Sequence, residues 1–489
     1  MGDFRRRRCQ RFPLARALRV CYNAPGDFMN TYEQDLALSR DIAALVADAG
    51  GRAYYVGGFV RDGLMGIACK DIDIEVYGIA PAGLRALLSN LGEVYDRGAS
   101  FGVLGLRHSD IDIAMPRTES RTGEKHTDFD VSVDPTLPPE RACLRRDFTI
   151  NAMIQDVLTS EVKDFHGGRE DLDRRIIRCV SPATFVEDAL RAFRAAQFAA
   201  RLGAEIEIET RKLCASMDVT HLSVERILGE TEKALLKADV PSVYFRQLQA
   251  MDHLKEFFPE LAETIGVKQN PRFHPEGDVF THTMLTLDEA AKLRDRAEYP
   301  LGFMLSALMH DLGKCVATEV QEDGRITAYG HEVLGLEMVE RQLRRITNNE
   351  RLIAYVKNQT ELHMRPNMLA GAKSKKKKTR MLFDLSVCPN DLILLARSDA
   401  SGKLDEPYDE NTELWLRERL EDYRACLKRP MVTGQDLINA GLRPGKDFGE
   451  LLRRGRMLHF SGLEKGVALR QLLDEYRKMQ EINSYSNDN

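Results

Sequence analysis

Apolar residues recur at helical spacing over residues 31–49 and stop at Gly50-Gly51, after which 52–56 reads as a buried strand. The turn Gly57-Gly58-Phe59-Val60-Arg61-Asp62 then opens a short helix predicted to end near Gly66. In Asp71-Ile72-Asp73-Ile74-Glu75-Val76 the acids and the apolar residues alternate, so a strand here points both aspartates to one face and the apolar residues to the other. A helix over 81–91 follows, then strands near 93–97, 102–108 and 110–115, the last two predicted to form a hairpin turning at Ser109-Asp110. Together these elements make a small α+β unit that closes at Arg145-Arg146-Asp147-Phe148-Thr149-Ile150-Asn151. Beyond Glu187 the strand signals fade, and the remainder reads mainly as helices with no internal repeat.

A chain of 489 residues is too long for one hydrophobic core and is expected to fold as three or four domains. With 43% apolar and 30% charged residues it falls in the soluble globular class, and no apolar run is long enough to span a bilayer, so no membrane partner is expected. Nine scattered cysteines without a C-x-x-C pair predict reduced thiols and a cytoplasmic location. A net charge of −5 argues against a protein coated in positive charge, so a nucleic-acid surface has to be a local concentration of Arg and Lys. Two such concentrations stand out: Arg5 to Arg8 with Arg11, Arg16 and Arg19, expected to be an unstructured leader rather than an RNA-contacting or targeting arm, and the run Lys373 with Lys375 to Lys378, expected to be mostly solvated surface. Gly2 is followed by Arg6 where a myristoylation signal needs Ser or Thr, which excludes that anchor.

Transfer of a nucleotide from a triphosphate to a hydroxyl needs metal ions that hold phosphate, and Mg²⁺ prefers hard oxygen ligands, so carboxylates must converge. Asp71 and Asp73 supply two, and Asp112 on a later strand is the natural third. Gly57-Gly58 allows close backbone approach to phosphate, and the helix after it offers free N–H groups.

The joint order of Gly-Gly, Arg-Asp and Asp-x-Asp on strand, turn, helix and strand resembles the polymerase-β-like nucleotidyltransferase head. Residues 145–153 resemble the RRDFTINAM stretch of class II tRNA nucleotidyltransferases and bacterial poly(A) polymerases, and Glu187-Asp188-Ala189-Leu190-Arg191 resembles their EDxxR motif. The resemblance implies that Gly58, Arg61 and Arg146 contact the nucleotide, that Asp188 and Arg191 select CTP or ATP, and that Arg194 helps hold the triphosphate. Asp188, Arg191 and Arg194 lie three apart on one stripe, and a carboxylate beside guanidinium N–H groups can read a base edge. Gln197 stands where many relatives carry Arg, which puts triphosphate affinity or the CTP/ATP balance in question. Residues 117–127 read either as a plain surface loop or, by position, as the flexible loop these enzymes use in switching from C to A addition.

Farther along, His282, His310-Asp311, His331, His363 and Asp399 form a spaced set, and His310-Asp311-Leu312-Gly313-Lys314 resembles the HDxGK core of HD-superfamily phosphohydrolases. That resemblance implies metal ligands at His282, His310, Asp311 and Asp399, a second divalent metal, and phosphatase or 2′,3′-cyclic phosphodiesterase activity, with an inactive RNA-binding body as the alternative. Residues 432–449 resemble the TGxDL…GxxPGxxxG segment of tRNA nucleotidyltransferases, whose glycines are open to either RNA contact or simple helix capping.

The expected architecture is multidomain: an N-terminal extension and leading helix (1–50), an α+β polymerase-β-like nucleotidyltransferase head (51–180), an all-α neck and body (181–268), an HD domain (269–405) and a C-terminal helical segment (406–489). The expected function is addition of C, C and A to the 3′ end of tRNA from CTP and ATP with Mg²⁺ and no nucleic-acid template. The alternatives are a poly(A) polymerase or a CC-only or A-only enzyme with the same head, a non-catalytic RNA-binding protein, and a protein that is primarily an HD hydrolase. No oligomeric state follows from the sequence.

Overall fold

In the computed structural model, the described residues are 25–487 except 68, 70, 98–101, 122–128, 405–406 and 446. The Arg-rich opening lies outside them. The chain divides into two compact units, the first ending at Phe257 and the second beginning at Phe258.

The strands of the first unit are β1 (Arg52–Val56), β2 (Ile72–Tyr77), β3 (Val94–Arg97), β4 (Val103–Leu106), β5 (Ile111–Ala114), β6 (Arg117–Arg121), β7 (Phe129–Val133), β8 (Ile154–Asp156) and β9 (Val162–Lys163), with a small parallel pair, β10 (Ile176–Ile177) and β11 (Glu205–Ile206), beyond them. Seven make one sheet in the order β3-β4-β5-β2-β1-β8-β9. Neighbours run antiparallel except β2 and β5, which are parallel and set Asp73 opposite Asp112. Because side chains alternate along a strand, Ile72, Ile74 and Val76 turn to one face with Ile111 and Ile113. There they bury against Ile42 and Val46 of helix α1 (Pro25–Asp48) and Leu84 and Leu88 of helix α3 (Pro81–Leu88). The same alternation turns Asp73, Glu75 and Asp112 to the other face.

Helix α2 (Gly58–Leu64) starts directly after β1, at Gly57 with φ +67° and ψ −129°, a backbone conformation closed to side-chain-bearing residues. Helix α3 ends three residues before the expected 91, because Ser89 Oγ donates to Arg85 O and Asn90 N bonds Leu87 O, which tightens the last turn. Residues 117–121, expected in a loop, pair as β6 with β7. Their own sequence, Arg117-Thr118-Glu119-Ser120-Arg121, carries no apolar alternation; the partner segment carries it, at Phe129, Val131 and Val133. The rest of the expected loop lies outside the described residues.

The helical part of the first unit is built on α4 (Leu190–Leu202), α5 (Val224–Lys237) and α6 (Ser242–Ala250). Helix α4 buries Phe193 together with Ala192, Ala195, Ala196 and Ala199, whose small side chains let α5 and α6 pack closely, while Arg191, Arg194 and Arg201 stay on its more open side.

In the second unit, helices Val279–Ala291, Pro300–Met309, Glu350–Leu362 and Pro389–Ser401 pack together. The 300–309 helix is buried from Gly302 to Met309, as a helix apolar on every side must be, and its one hydroxyl, Ser306 Oγ, donates to Gly302 O at 2.7 Å. Toward the end of the chain, Thr433 caps helix Gly434–Asn439 in a reciprocal capping box with Asp436, which is the capping reading of that segment. The lysine run opens helix Lys376–Leu385, and Lys376 Nζ pairs with Asp422 at 2.8 Å.

Candidate active sites

A cleft of about 870 Å³ opens on the polar face of the sheet. Gly58 and Arg61 from α2, with Asp71 and Asp73 at the start of β2, form one wall; Arg146 lies beside them. Asp188, Arg191 and Arg194, from the helical part, line the same cleft. Asp112 stands next to Asp73 in the sheet register but lies outside the cleft wall, its Oδ1 held 2.5 Å from Arg97 Nη1.

The electrostatics follow from crowded charges. Burial raises the pKa of Asp73; Arg146 opposes the rise, while Asp112 and Asp71 add to it. Three carboxylates gathered beside a half-buried strand are what a hard divalent cation relieves, so the donors at Asp71 and Asp73 fit one. A Cβ placed on Gly57 would meet Arg146 Nη1 at 3.4 Å and Asp73 Oδ2 at 3.8 Å, ordinary contact distances, so it is the positive φ that calls for glycine here. Glu75, one pleat on, is buried between Arg145 Nη2 at 2.6 Å and Arg146 Nη2 at 3.8 Å. Burial alone would raise its pKa, but Arg146 and Arg145 outweigh burial and leave it lowered.

Arg61 is almost fully buried, donating to Asp62 Oδ1 at 2.8 Å and Asn151 Oδ1 at 2.5 Å and lying over the Phe198 ring at 4.9 Å. From the helical part, Arg191 donates to Thr184 O at 2.6 Å and Arg145 O at 2.7 Å, which fixes its fork and leaves further N–H groups for a ligand. Arg194 Nε donates to Asp147 Oδ2 at 2.7 Å. Gln197 lines the same cleft, 1% exposed, with no hydrogen-bond partner on Nε2. The arrangement can bind a polyanion on its arginines and present a carboxylate–guanidinium edge to a flat heterocycle.

In the second unit, His282, His310, Asp311 and Asp399 converge in a buried cluster, joined by His331 and His363. Nδ1 of His310, His331 and His363 faces the carbonyls of Ala307, Ala328 and Thr360 at 2.9, 2.8 and 2.7 Å. A carbonyl only accepts, so each Nδ1 carries a proton and each Nε2 is left turned into the cluster. His310 Nε2 has no hydrogen-bond partner, and His331 Nε2 lies 3.0 Å from Asp311 Oδ1 and 3.4 Å from His363 Nε2. His282 likewise has Glu276 Oε1 2.8 Å from Nδ1 and Asp399 Oδ1 3.1 Å from Nε2. Four imidazole Nε2 atoms and two carboxylates turned into one buried cluster, with His310 Nε2 unpartnered, fit a metal ion. The groups His282–His310–Asp399 and His310–Asp311–His363 each bring their ligand atoms within 4.8 Å of one another. Burial, then His310, holds the His363 imidazole down at about 3, so it stays a neutral ligand. Burial would raise Asp311, but His310 and Lys314 hold it well below the usual carboxylate range.

Several residues here were not singled out as site residues from sequence. In the second unit they are His274 and Glu276, six residues before His282, a carboxylate spacing that could have been noticed. In the first unit they are Arg145, Asp147, Asn151 and Arg201, and the α5 stripe Arg226, Lys233, Lys237, whose helical spacing on an otherwise apolar-backed helix was visible.

Residues 53–178 match the family model of the poly(A) polymerase head domain, and residues 279–399 match that of the HD domain. The chain is 39% identical over 303 residues to the multifunctional CCA protein of Pasteurella multocida (60% of this chain, 69% of the relative). It is 35% identical over 367 residues to that of Actinobacillus pleuropneumoniae serotype 5b (72% and 85%). Among solved structures it has the fold of the Thermotoga maritima CCA-adding enzyme complexed with tRNA (TM-score 0.57, 21% identity, 92% of this chain and 98% of that one). It also has the fold of a CCA-adding enzyme in complex with CTP (TM-score 0.58, 21% identity, 93% and 97%). The two domain types work with divalent cations, for which this chain carries candidate ligand groups. No helix of the described residues is long and apolar enough to cross a membrane. The chain therefore belongs to the multifunctional CCA protein family and is a nucleotidyltransferase whose polymerase-type head is followed by helical regions and an HD domain.

Proposed function

We propose that this protein completes the 3′ end of tRNA, adding C, C and A from CTP and ATP without a nucleic-acid template. The carrying observation is that one cleft holds paired carboxylates, Asp71 and Asp73, together with a base-reading set, Asp188, Arg191 and Arg194. Mg²⁺ on Asp71 and Asp73 would neutralise phosphate charge and lower the pKa of the attacking 3′-hydroxyl. Arg61, Arg146 and Arg194 bind the triphosphate, Gly58 lets the backbone approach it, and Asp112 with Asp71 keeps the field at Asp73 strongly negative. Asp188 accepts from the exocyclic amine of cytosine or adenine while Arg191 donates to the ring, an edge that uracil and guanine do not match.

For the second unit we propose a divalent-cation phosphohydrolase site on His282, His310, Asp311 and Asp399, acting on phosphate monoesters or 2′,3′-cyclic phosphates. His331 and His363 support this reading because their Nε2 atoms face the same cluster. A cytoplasmic setting fits the seven described cysteines, all of them free thiols.

Primer extension tests the main reading. Purified protein with Mg²⁺ and a tRNA ending at its discriminator base receives CTP alone, ATP alone, then both. Two C additions followed by one A support the proposal. A long ladder with ATP alone makes the protein a poly(A) polymerase, and addition that stops at CC or requires a pre-formed CC end makes it a partial enzyme.

A further inference from the structure

The base-reading carboxylate of the cleft is held by a residue from another helix. Both oxygens of Asp188 lie against Arg226 Nη2, at 3.0 Å for Oδ1 and 2.8 Å for Oδ2. Oδ1 also accepts from Leu190 N at 3.1 Å. A carboxylate has about four acceptor positions, so this partnership orients Asp188 and still leaves Oδ2 room for an amine donor.

The placement of Arg226 has no explanation in the helix that carries it. It occupies the first turn of α5, where a guanidinium opposes the helix dipole, and only about a quarter of its side chain is exposed. One turn on, Glu230 stands 3.6 Å from Arg194 and is bridged by Lys233 at 2.8 Å. Helix α5 therefore sets a charge of the opposite sign behind each of two cleft residues: Arg226 behind Asp188 and Glu230 behind Arg194. Arg226, Lys233 and Lys237 recur along one stripe of α5 and line the cleft themselves.

We infer that Arg226 is a positioning residue for base selection, fixing the Asp188 carboxylate in the plane from which it accepts the amine of cytosine or adenine. This rests on the reading of the cleft as a nucleotide site. Without Arg226, Asp188 keeps its negative charge and its bond to Leu190 but is free to rotate about its χ2, and discrimination between amino and keto bases weakens.

The test compares the full-length protein with Arg226→Gln and Arg226→Lys, measuring KM and kcat for CTP, ATP and UTP on tRNA, and CTP binding without tRNA by calorimetry. For Arg226→Gln the expected result is a rise in KM for CTP and ATP of about tenfold, a smaller change in kcat, and a fall of about tenfold in preference for CTP over UTP. Arg226→Lys restores part of the preference. In an Asp188→Ala background the Gln substitution has little further effect on the preference, because the two residues act as a unit. An equal loss of kcat for all three nucleotides at unchanged KM and preference, or full additivity with Asp188→Ala, overturns the inference. If the unsubstituted protein binds CTP but adds nothing to tRNA, the functional reading fails while the binding comparison still judges Arg226.

Discussion

Glu75 is buried to 1% exposure under the cleft floor, and its replacement gives a sharp measure of how the head is assembled. Glu75→Gln keeps the volume and an acceptor for Tyr77 Oη, which donates to Glu75 at 2.8 Å, but removes the charge that faces Arg145 and Arg146. Breaking a buried ion pair typically costs about 3–5 kcal/mol. Arg145 and Arg146 are about a fifth exposed, so solvent recovers part of that and the expected loss is about 2–3 kcal/mol. For a unit of this size the loss lowers the melting temperature by about 4–12 °C. Differential scanning calorimetry reads it in the transition that CTP moves upward, which identifies the first unit without assuming that the whole chain melts in one step. Arg146 loses its anchor in the same variant, so KM for CTP rises as well.

The pH dependence has a definite sign. The pKa of Glu75 is lowered on folding, so its contribution is fully present above the unfolded value of 4.5 and is lost as pH falls below that through the folded value. The gap between parent and variant therefore narrows on acidification. A variant that melts within about 1 °C of the parent near neutral pH, or a gap that widens in acid, refutes the reasoning.

Asp73→Ala is expected to lower nucleotide addition by about a thousandfold or more, read by primer extension, while phosphatase activity toward a monoester stays near the parent level. Chelation by EDTA, or His310→Ala, removes that phosphatase activity; in the untreated protein, added divalent cation raises the melting temperature of the second transition by several degrees, and His310→Ala abolishes the rise. Gln197→Arg supplies a charge where Nε2 has no partner, among Arg61, Arg194 and Arg201. The expected outcome is a KM for CTP and ATP lowered about threefold together with a lower melting temperature in the absence of nucleotide, since burying another guanidinium without an anion is unfavourable.

Much of the head was legible because its signals are local. Alternation in 71–76 places Asp71 and Asp73 on one face, and the Gly57-Gly58 pair marks the entry to α2. Strand β6 was not legible, because its pairing depends on an apolar pattern carried by its partner. The partnerships within the site were hidden for a related reason. Nothing in the spacing of Asp188 and Arg226, or of Glu75 and Arg145, states that they meet; both contacts depend on how helices and sheet close on each other. The histidines could be seen as a set, yet the direction each Nε2 faces depends on which backbone carbonyl accepts from Nδ1, and that is a property of helix ends rather than of composition.

The parallel pairing of β2 with β5 inside an otherwise antiparallel sheet has a consequence for how the protein comes into being on the ribosome. A parallel neighbour cannot be reached by a tight turn, so the intervening α3, β3 and β4 must emerge before β5 can dock beside β2. The rest of the cleft lining comes later still, on α4 and α5, which ends at Lys237. A nascent chain therefore displays its acidic strand long before it owns a place to put a nucleotide. Ligand capture is thereby deferred until nearly half of the polypeptide has been synthesised, and cannot compete with early folding.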